Sequence, residues 1–437
     1  MRPPPALRGK EASFGALPWA LSGPQITPSA RGEAQSGSSL IEEERGESVA
    51  APREDHLTTM AEDDANGGAP NAQGEASSSP LVLDLCGSQM HDEDFAGVAV
   101  PEGIEELDLT ENRLKDVDER ILQLRRLRKA TFRKNLLKDV SSIARFASAA
   151  NVDELVLYDN HIRELPDLGG FTALKRLDVS YNQLRSMAPS SNLVATLEEL
   201  FLAANKIAKV EGLGGLTRLR VLELGSNRIR CLEGLGAMTS LEELWLGRNK
   251  IREIPSPLAG PNAMPGALAR LRRLSLQNNR LTSMAGLEGC PLLEELYLSF
   301  NGIDRLAGLR ALRRLKILDL GNNRIAKLEA SDLEGLECLE DLWLNDNSIP
   351  FLAGLLGSPP EEKEEGKEGG DGAAAGAGGG RGPSDGGGGG VALAPVAPSL
   401  RTLYLEGNPV AKDPGYKRVL VQALPALTQL DFEDIPR

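Results

Sequence analysis

The sequence predicts an α/β solenoid, with short parallel strands stacked into one concave sheet and each repeat returning along the outer side through a short helical turn. Three observations carry this reading. The pattern L-x-x-L-x-L-x-x-N-x-I occurs twice, 22 residues apart, between Leu219 and Ile251. The asparagine of that pattern recurs twelve times from Asn112 to Asn408, at intervals of 23, 25, 22, 23, 22, 22, 30, 22, 22, 24 and 61 residues. Aromatic residues make up only 4% of the 437, which is poor for one large core and suits many small repeated ones. A period of roughly 20–29 residues with this consensus is that of a leucine-rich repeat.

The geometry follows from the spacing. The two leucines of L-x-L lie two residues apart, so they share one face of a strand and point into the core. The residue between them faces solvent on the concave side. The asparagine turns the chain out of the strand, and its amide can satisfy backbone groups of neighbouring repeats. Each repeat buries its apolar face only against its neighbours, so stability is close to a nearest-neighbour sum.

In chain order, residues 1–79 are rich in Pro, Gly, Ser, Ala and Glu without sustained periodicity. They cannot bury enough apolar surface to offset the entropy of ordering, and read as a disordered tail. Leu81–Leu85 (LVLDL) reads as a degenerate opening repeat, and His91–Phe95 as a turn of helix over the exposed end of the stack. The solenoid then occupies 80–408. It is interrupted by flexible insertions at 255–267 and at 357–397, the second a Glu/Lys-rich then Gly-rich run. Long insertions in loops are tolerated because closure entropy grows slowly with length. Residues 409–437 read as a C-terminal cap. Asp413 and Pro414 can start a helix there, and Tyr416, Val419, Leu420 and Leu424 fall at helical spacing.

Composition narrows the function. Formal net charge is -14, and most of it sits in the two low-complexity segments, where it solvates. No apolar run is long enough to span a membrane. The cysteines Cys86, Cys231, Cys290 and Cys338 are scattered without metal spacing. No nucleophile elbow, metal motif or phosphate loop occurs, so no enzyme, cofactor or metal is expected.

The information lies on the concave face. With the first leucine-type anchor of each repeat as position 1, positions 3 and 5 face solvent. Position 5 carries Phe201, Trp245, Tyr297, Trp343 and Tyr404, two of them among the three tryptophans of the chain. Aromatics on a solvent face mark a binding surface; packing across adjacent strands is the plainer alternative. The two positions together hold ten acids, among them Asp178, Glu223, Asp319 and Asp341, against three bases, Lys129, Arg176 and Arg273. Such a face repels a phosphate backbone, so nucleic acid is not expected, and a partner with basic and apolar patches is.

LELGSNRIR (222–230), LYDNHI (157–162), LDVSYN (177–182), LYLSFNGI (296–303) and the closing LYLEGNPVAKDPGYKRVLVQALPALTQLD resemble the protein phosphatase 1 regulatory subunit 7 family. The resemblance covers about 104–356 and 398–433. It implies a non-catalytic subunit whose concave face binds the phosphatase catalytic subunit. The family's contact positions fall here on Asp178, Phe201, Glu223, Trp245, Asp319, Asp341, Trp343 and Tyr404. It also implies a nuclear and cytoplasmic protein, with a small phosphatase inhibitor protein as a further partner. A scaffold of a spliceosomal or axonemal (dynein-associated) assembly is the alternative, since those proteins share short repeats and a similar cap.

Overall fold

The computed structural model describes residues 80–186, 196–236, 238–254, 268–351 and 398–436. All belong to one compact unit. The expected N-terminal tail and both expected insertions lie outside the described residues.

A three-residue strand forms in each repeat: β1 (Val82–Asp84), β2 (Glu106–Asp108), β3 (Lys129–Thr131), β4 (Glu154–Val156), β5 (Arg176–Asp178), β6 (Glu199–Phe201), β7 (Val221–Glu223), β8 (Glu243–Trp245), β9 (Arg273–Ser275), β10 (Glu295–Tyr297), β11 (Ile317–Asp319), β12 (Asp341–Trp343) and β13 (Thr402–Tyr404). Two more two-residue strands, β14 (Gln429–Leu430) and β15 (Glu433–Asp434), end the chain. The fifteen strands form one unclosed sheet in strict sequence order. Pairing is parallel throughout, except that β15 turns back antiparallel on β14. The long interval before Asn408 does not disturb this: Asp341 pairs with Thr402 and Trp343 with Tyr404.

The middle residue of almost every strand is a leucine, fully buried, as are the leucine-type anchors before and after it. These side chains join with the Ile or Leu two residues after each asparagine, Val410 in the last repeat, into one continuous core. On the outer side the chain returns through short 3₁₀ turns such as Leu287–Gly289 and Leu309–Ala311.

The asparagines stitch neighbouring repeats. Asn205 donates through Nδ2 to the carbonyls of Val179 (2.9 Å) and Leu202 (3.1 Å), and its Oδ1 accepts from the N–H of Leu184 at 2.9 Å. The same set recurs up to Asn408, which donates to Leu344 O and accepts from Ile349 N. Each amide thus satisfies a donor and an acceptor of the preceding repeat that would otherwise be buried unpaired, at a cost of about 1–3 kcal/mol each.

Two helices close the ends. In α1 (Asp92–Ala96) Phe95 is buried against the first repeats. After the one-turn α2 (Glu119–Leu122), the next α-helix among the described residues is α3 (Tyr416–Ala423), which covers the last repeat with Tyr416 and Leu420, followed by Leu424. Val419, expected on that apolar stripe, is instead exposed. The stripe of this short helix is narrow, and Val419 falls at its edge.

Position 2 of the repeat, at the rim just before each strand, alternates in charge without a break. It reads Glu105, Arg128, Asp153, Lys175, Glu198, Arg220, Glu242, Arg272, Glu294, Lys316, Glu340 and Arg401. Ion pairs link neighbours along this column: Arg128 to Asp153 at 3.4 Å, Arg220 to Glu242 at 3.1 Å, Arg272 to Glu294 at 2.8 Å and Lys316 to Glu294 at 2.9 Å.

Candidate functional site

The strands set the concave face by alternation. Their middle residues point inward, so their first and third residues, at positions 3 and 5, line the opposite surface. From Trp245 to Tyr404 the third residues are, in order, Trp, Ser, Tyr, Asp, Trp and Tyr.

The four aromatics form one strip. Ring centroids lie 6.3 Å apart for Trp245 and Tyr297, 6.5 Å for Tyr297 and Trp343, and 5.9 Å for Trp343 and Tyr404. The first two pairs are not strand neighbours; Ser275 stands between one and Asp319 between the other. Strands two apart are separated by roughly 9.5 Å, so these rings lean toward each other over the small residue between them. That explains why Ser275 is fully buried and Asp319 nearly so. The two sequence readings of the aromatics, packing across strands and presenting a surface, are therefore compatible. The rings contact one another along the strip and remain half-buried, with an outer face toward solvent.

Hydrogen bonds fix their orientation. Trp245 Nε1 donates to Glu243 Oε2 at 3.2 Å, Tyr297 Oη to Glu295 Oε2 at 3.0 Å, and Tyr404 Oη to Gln429 Oε1 at 2.8 Å. The Trp343 Nε1 is buried and has no hydrogen-bond partner among the described residues.

Three expected surface positions are corrected. Phe201 is buried, with the Arg176 guanidinium 4.4 Å from its ring centroid. Glu223 is 0% exposed, flanked by the larger Phe201 and Trp245 on the adjacent strands. Asp319 is covered by Tyr297 and Trp343, and accepts from Ser299 Oγ at 2.6 Å, Gln277 Nε2 at 3.1 Å and Gly321 N at 3.0 Å. Glu223 and Asp319 share one physical reason, since in tightly spaced strands a shorter side chain is roofed by larger neighbours, whereas Phe201 is covered by the Arg176 guanidinium lying over its ring. Asp178 is half-buried, and Asp341 likewise.

Burial changes the charge of this face. It pushes the Glu223 carboxyl up to about 8, with Asp178 adding to the rise and the Gly225 N–H, at 2.6 Å from Oε1, opposing it. Burial also raises Asp178 and Asp319 above the ordinary carboxylate range. At position 3 the three bases each reach acids on neighbouring strands. Lys129 pairs with Glu106 at 2.9 Å, Arg176 with both Glu154 and Glu199, and Arg273 with Glu243 at 2.6 Å and Glu295 at 3.0 Å. Five of the ten acids counted from the sequence are thus tied in ion pairs, and three more are biased toward the neutral form. Of the two that remain, neither makes an ion pair among the described residues: Asp108 lies near the N-terminal end of the face, away from the aromatics, and Asp341 lies beside Trp343 and Tyr404. The free carboxylate on the aromatic strip is therefore at its C-terminal end.

A leucine-rich-repeat model (two copies per match) fits residues 195–237, 217–260, 269–311 and 313–354. The chain has the leucine-rich-repeat fold. It is 39% identical over 154 residues to a curated relative from Arabidopsis thaliana named "Protein phosphatase 1 regulatory inhibitor subunit PPP1R7 homolog". The match covers 35% of this chain and 46% of that relative, so the chain spans about half the length of the relative it matches. This agrees with the resemblance to the phosphatase 1 regulatory subunit 7 family carried by the repeats. Among solved structures, a leucine-rich-repeat protein of Leptospira interrogans superposes with TM-score 0.54 at 24% identity, covering 76% of this chain and 81% of that one. The internalin InlF of Listeria monocytogenes does so with TM-score 0.50 at 19% identity, covering 83% and 92%. Both show the fold alone.

Proposed function

We propose that this leucine-rich-repeat protein is a non-catalytic regulatory subunit of Ser/Thr protein phosphatase 1, and that the phosphatase catalytic subunit docks on its concave face. The observation that carries the reading is the continuous strip from Trp245 through Tyr297 and Trp343 to Tyr404, beside Asp341, which has no ion-pair partner among the described residues. Large aromatics with a solvent-facing side dominate interface energetics, and an unpaired carboxylate beside them favours a cationic counterpart. The printed name of the Arabidopsis relative supports the choice of partner. In this reading Phe201, Glu223 and Asp319 act beneath the surface, supporting the groups above them, while the exposed rings and Asp341 make contact. Residence in nucleus and cytoplasm, and a small phosphatase inhibitor protein as third member, belong to the same proposal.

The test is a titration of the purified full chain with phosphatase 1 catalytic subunit. Trp343→Ala is expected to weaken binding by ~2 kcal/mol or more, about thirtyfold. Trp245→Ala combined with it should abolish measurable capture. Undiminished binding by the double variant overturns the docking face.

A further inference from the structure

We infer that the binding strip does not end at Tyr404 but continues onto the C-terminal cap through Phe432, with Asp434 beside it; this rests on the proposed docking of a protein partner on the concave face. Three independent observations point there.

First, Phe432 is the next rung of the strip. Its ring lies 4.1 Å from that of Tyr404 at an interplanar angle of 23°, the closest ring pair of the series. It is nevertheless 63% exposed.

Second, the backbone that presents it is strained. Asp431 and Phe432 have φ of 47° and 64°, two successive residues in the left-handed region. Asp431 has a local reason to be there. Its Oδ1 accepts from Leu405 N at 2.6 Å and Glu406 N at 2.8 Å, and its Oδ2 from the Tyr416 hydroxyl, which locks the cap to the last repeat. Phe432 shares the turn: Leu430 pairs with Glu433, so Asp431 and Phe432 are the two central residues of the hairpin joining β14 and β15, which needs φ > 0 at both. Glycine or asparagine makes such a turn at least cost, and a large ring in its second place is a choice that the turn itself does not require.

Third, the charges continue in the same sense. Asp434 pairs in register with Gln429, whose side chain holds the Tyr404 hydroxyl. Cross-strand partners share a face, so Asp434 lies on the concave side. Like Asp341, it makes no ion pair among the described residues, whereas its neighbour Glu433 is bound by Lys417 at 2.8 Å. The end of the strip is therefore two stacked rings, Tyr404 and Phe432, between two carboxylates without an ion-pair partner among the described residues. That arrangement fits a patch of arginine or lysine side chains carried on an apolar protein surface. The alkyl stems would lie on the rings and the cationic heads on the acids.

The experiment compares the full chain with Phe432→Ala, Phe432→Trp, Asp434→Lys and Trp343→Ala, measuring affinity for phosphatase 1 catalytic subunit and the thermal unfolding midpoint of each. Phe432→Ala is expected to weaken binding about tenfold at an unchanged midpoint, Phe432→Trp to restore it, and Asp434→Lys to weaken it at low ionic strength. If Trp343→Ala loses binding while Phe432→Ala and Asp434→Lys bind as the parent does, the extension onto the cap is wrong and the docking face stands. If the parent chain itself does not bind, both fall. Should Phe432→Ala unfold, the outcome for Asp434→Lys, an exposed side chain outside the core, decides the question.

Discussion

Replacing Glu223 by glutamine tests the account of the concave face at its most buried charge. The carboxyl is 0% exposed, one oxygen accepts the Gly225 N–H, and the other has no partner among the described residues. In the unfolded chain Glu223 ionises near its ordinary value of 4.5, whereas burial in the fold holds the proton up to about pH 8. Between those values the folded state binds one proton more than the unfolded state. Stability therefore falls as pH rises through the window, at about 1.4 kcal/mol per unit. From pH 5 to pH 8 the parent chain loses about 3 kcal/mol through this one group. Asp178 and Asp319, also raised by burial, act with the same sign at the acidic end. Glu223→Gln keeps the shape and the acceptor for Gly225 but does not titrate. Urea unfolding of both proteins at pH 5, 6, 7 and 8 should show the variant gaining on the parent by about 3 kcal/mol across the range. Parallel curves, with the gap moving by less than about 1 kcal/mol, would mean that Glu223 is ionised or solvated in the fold, and the reasoning would fail.

Other perturbations probe the repeat itself. Gly234→Ala places a Cβ 2.4 Å from the Val210 carbonyl at φ +76°. It should cost about 2 kcal/mol or more in chemical denaturation, while Gly214→Ala, with nothing within 4 Å, should be neutral or slightly stabilising. Asn227→Ala strips the Ile207 N–H of its acceptor and the Leu202, Leu224 and Gly225 carbonyls of a donor. The expected loss is about 2–3 kcal/mol, with faster amide exchange at Ile207 as the local signature.

The repeat was legible because its anchors are chemically specific. A leucine every two residues followed by asparagine fixes which side chains face inward, and the strands fall on those residues from β2 to β13. The position-5 column was legible for the same reason. What the column does was only half legible. Sequence alternation assigns Glu223 and Asp319 to the solvent side, but it carries nothing about the height of neighbouring side chains, and Phe201, Trp245, Tyr297 and Trp343 decide their burial. The count of ten acids to three bases was misleading because Arg176 and Arg273 each serve two strands at once. The backbone held another surprise. The residue before each asparagine is left-handed, at φ 57° for Tyr181 and 56° for Phe300. Gly407, Asn278, Asn322, Asp159 and Asp346 suit that conformation by residue type, but the others in the series do not, and the asparagine hydrogen bonds hold the turn whatever precedes them. Phe432 was missed since the periodic reading stops at Asp431, and a rung supplied by a reversed strand has no place in the consensus.

The unbroken alternation at the rim has a consequence for how the chain finds its fold. Twelve near-identical segments could in principle stack with one left out, closing strand n directly on strand n+2, and the leucines and asparagines would be as well satisfied as before. The rim column works as a parity check against that error. Omitting any single repeat sets Arg128 on Lys175, or Glu242 on Glu294, where the correct order sets opposite charges together. Each such mismatch turns a cross-strand attraction of about 0.2–1 kcal/mol into a repulsion. That is small against the stability of the whole, yet it falls on the one choice that the hydrophobic pattern leaves undecided.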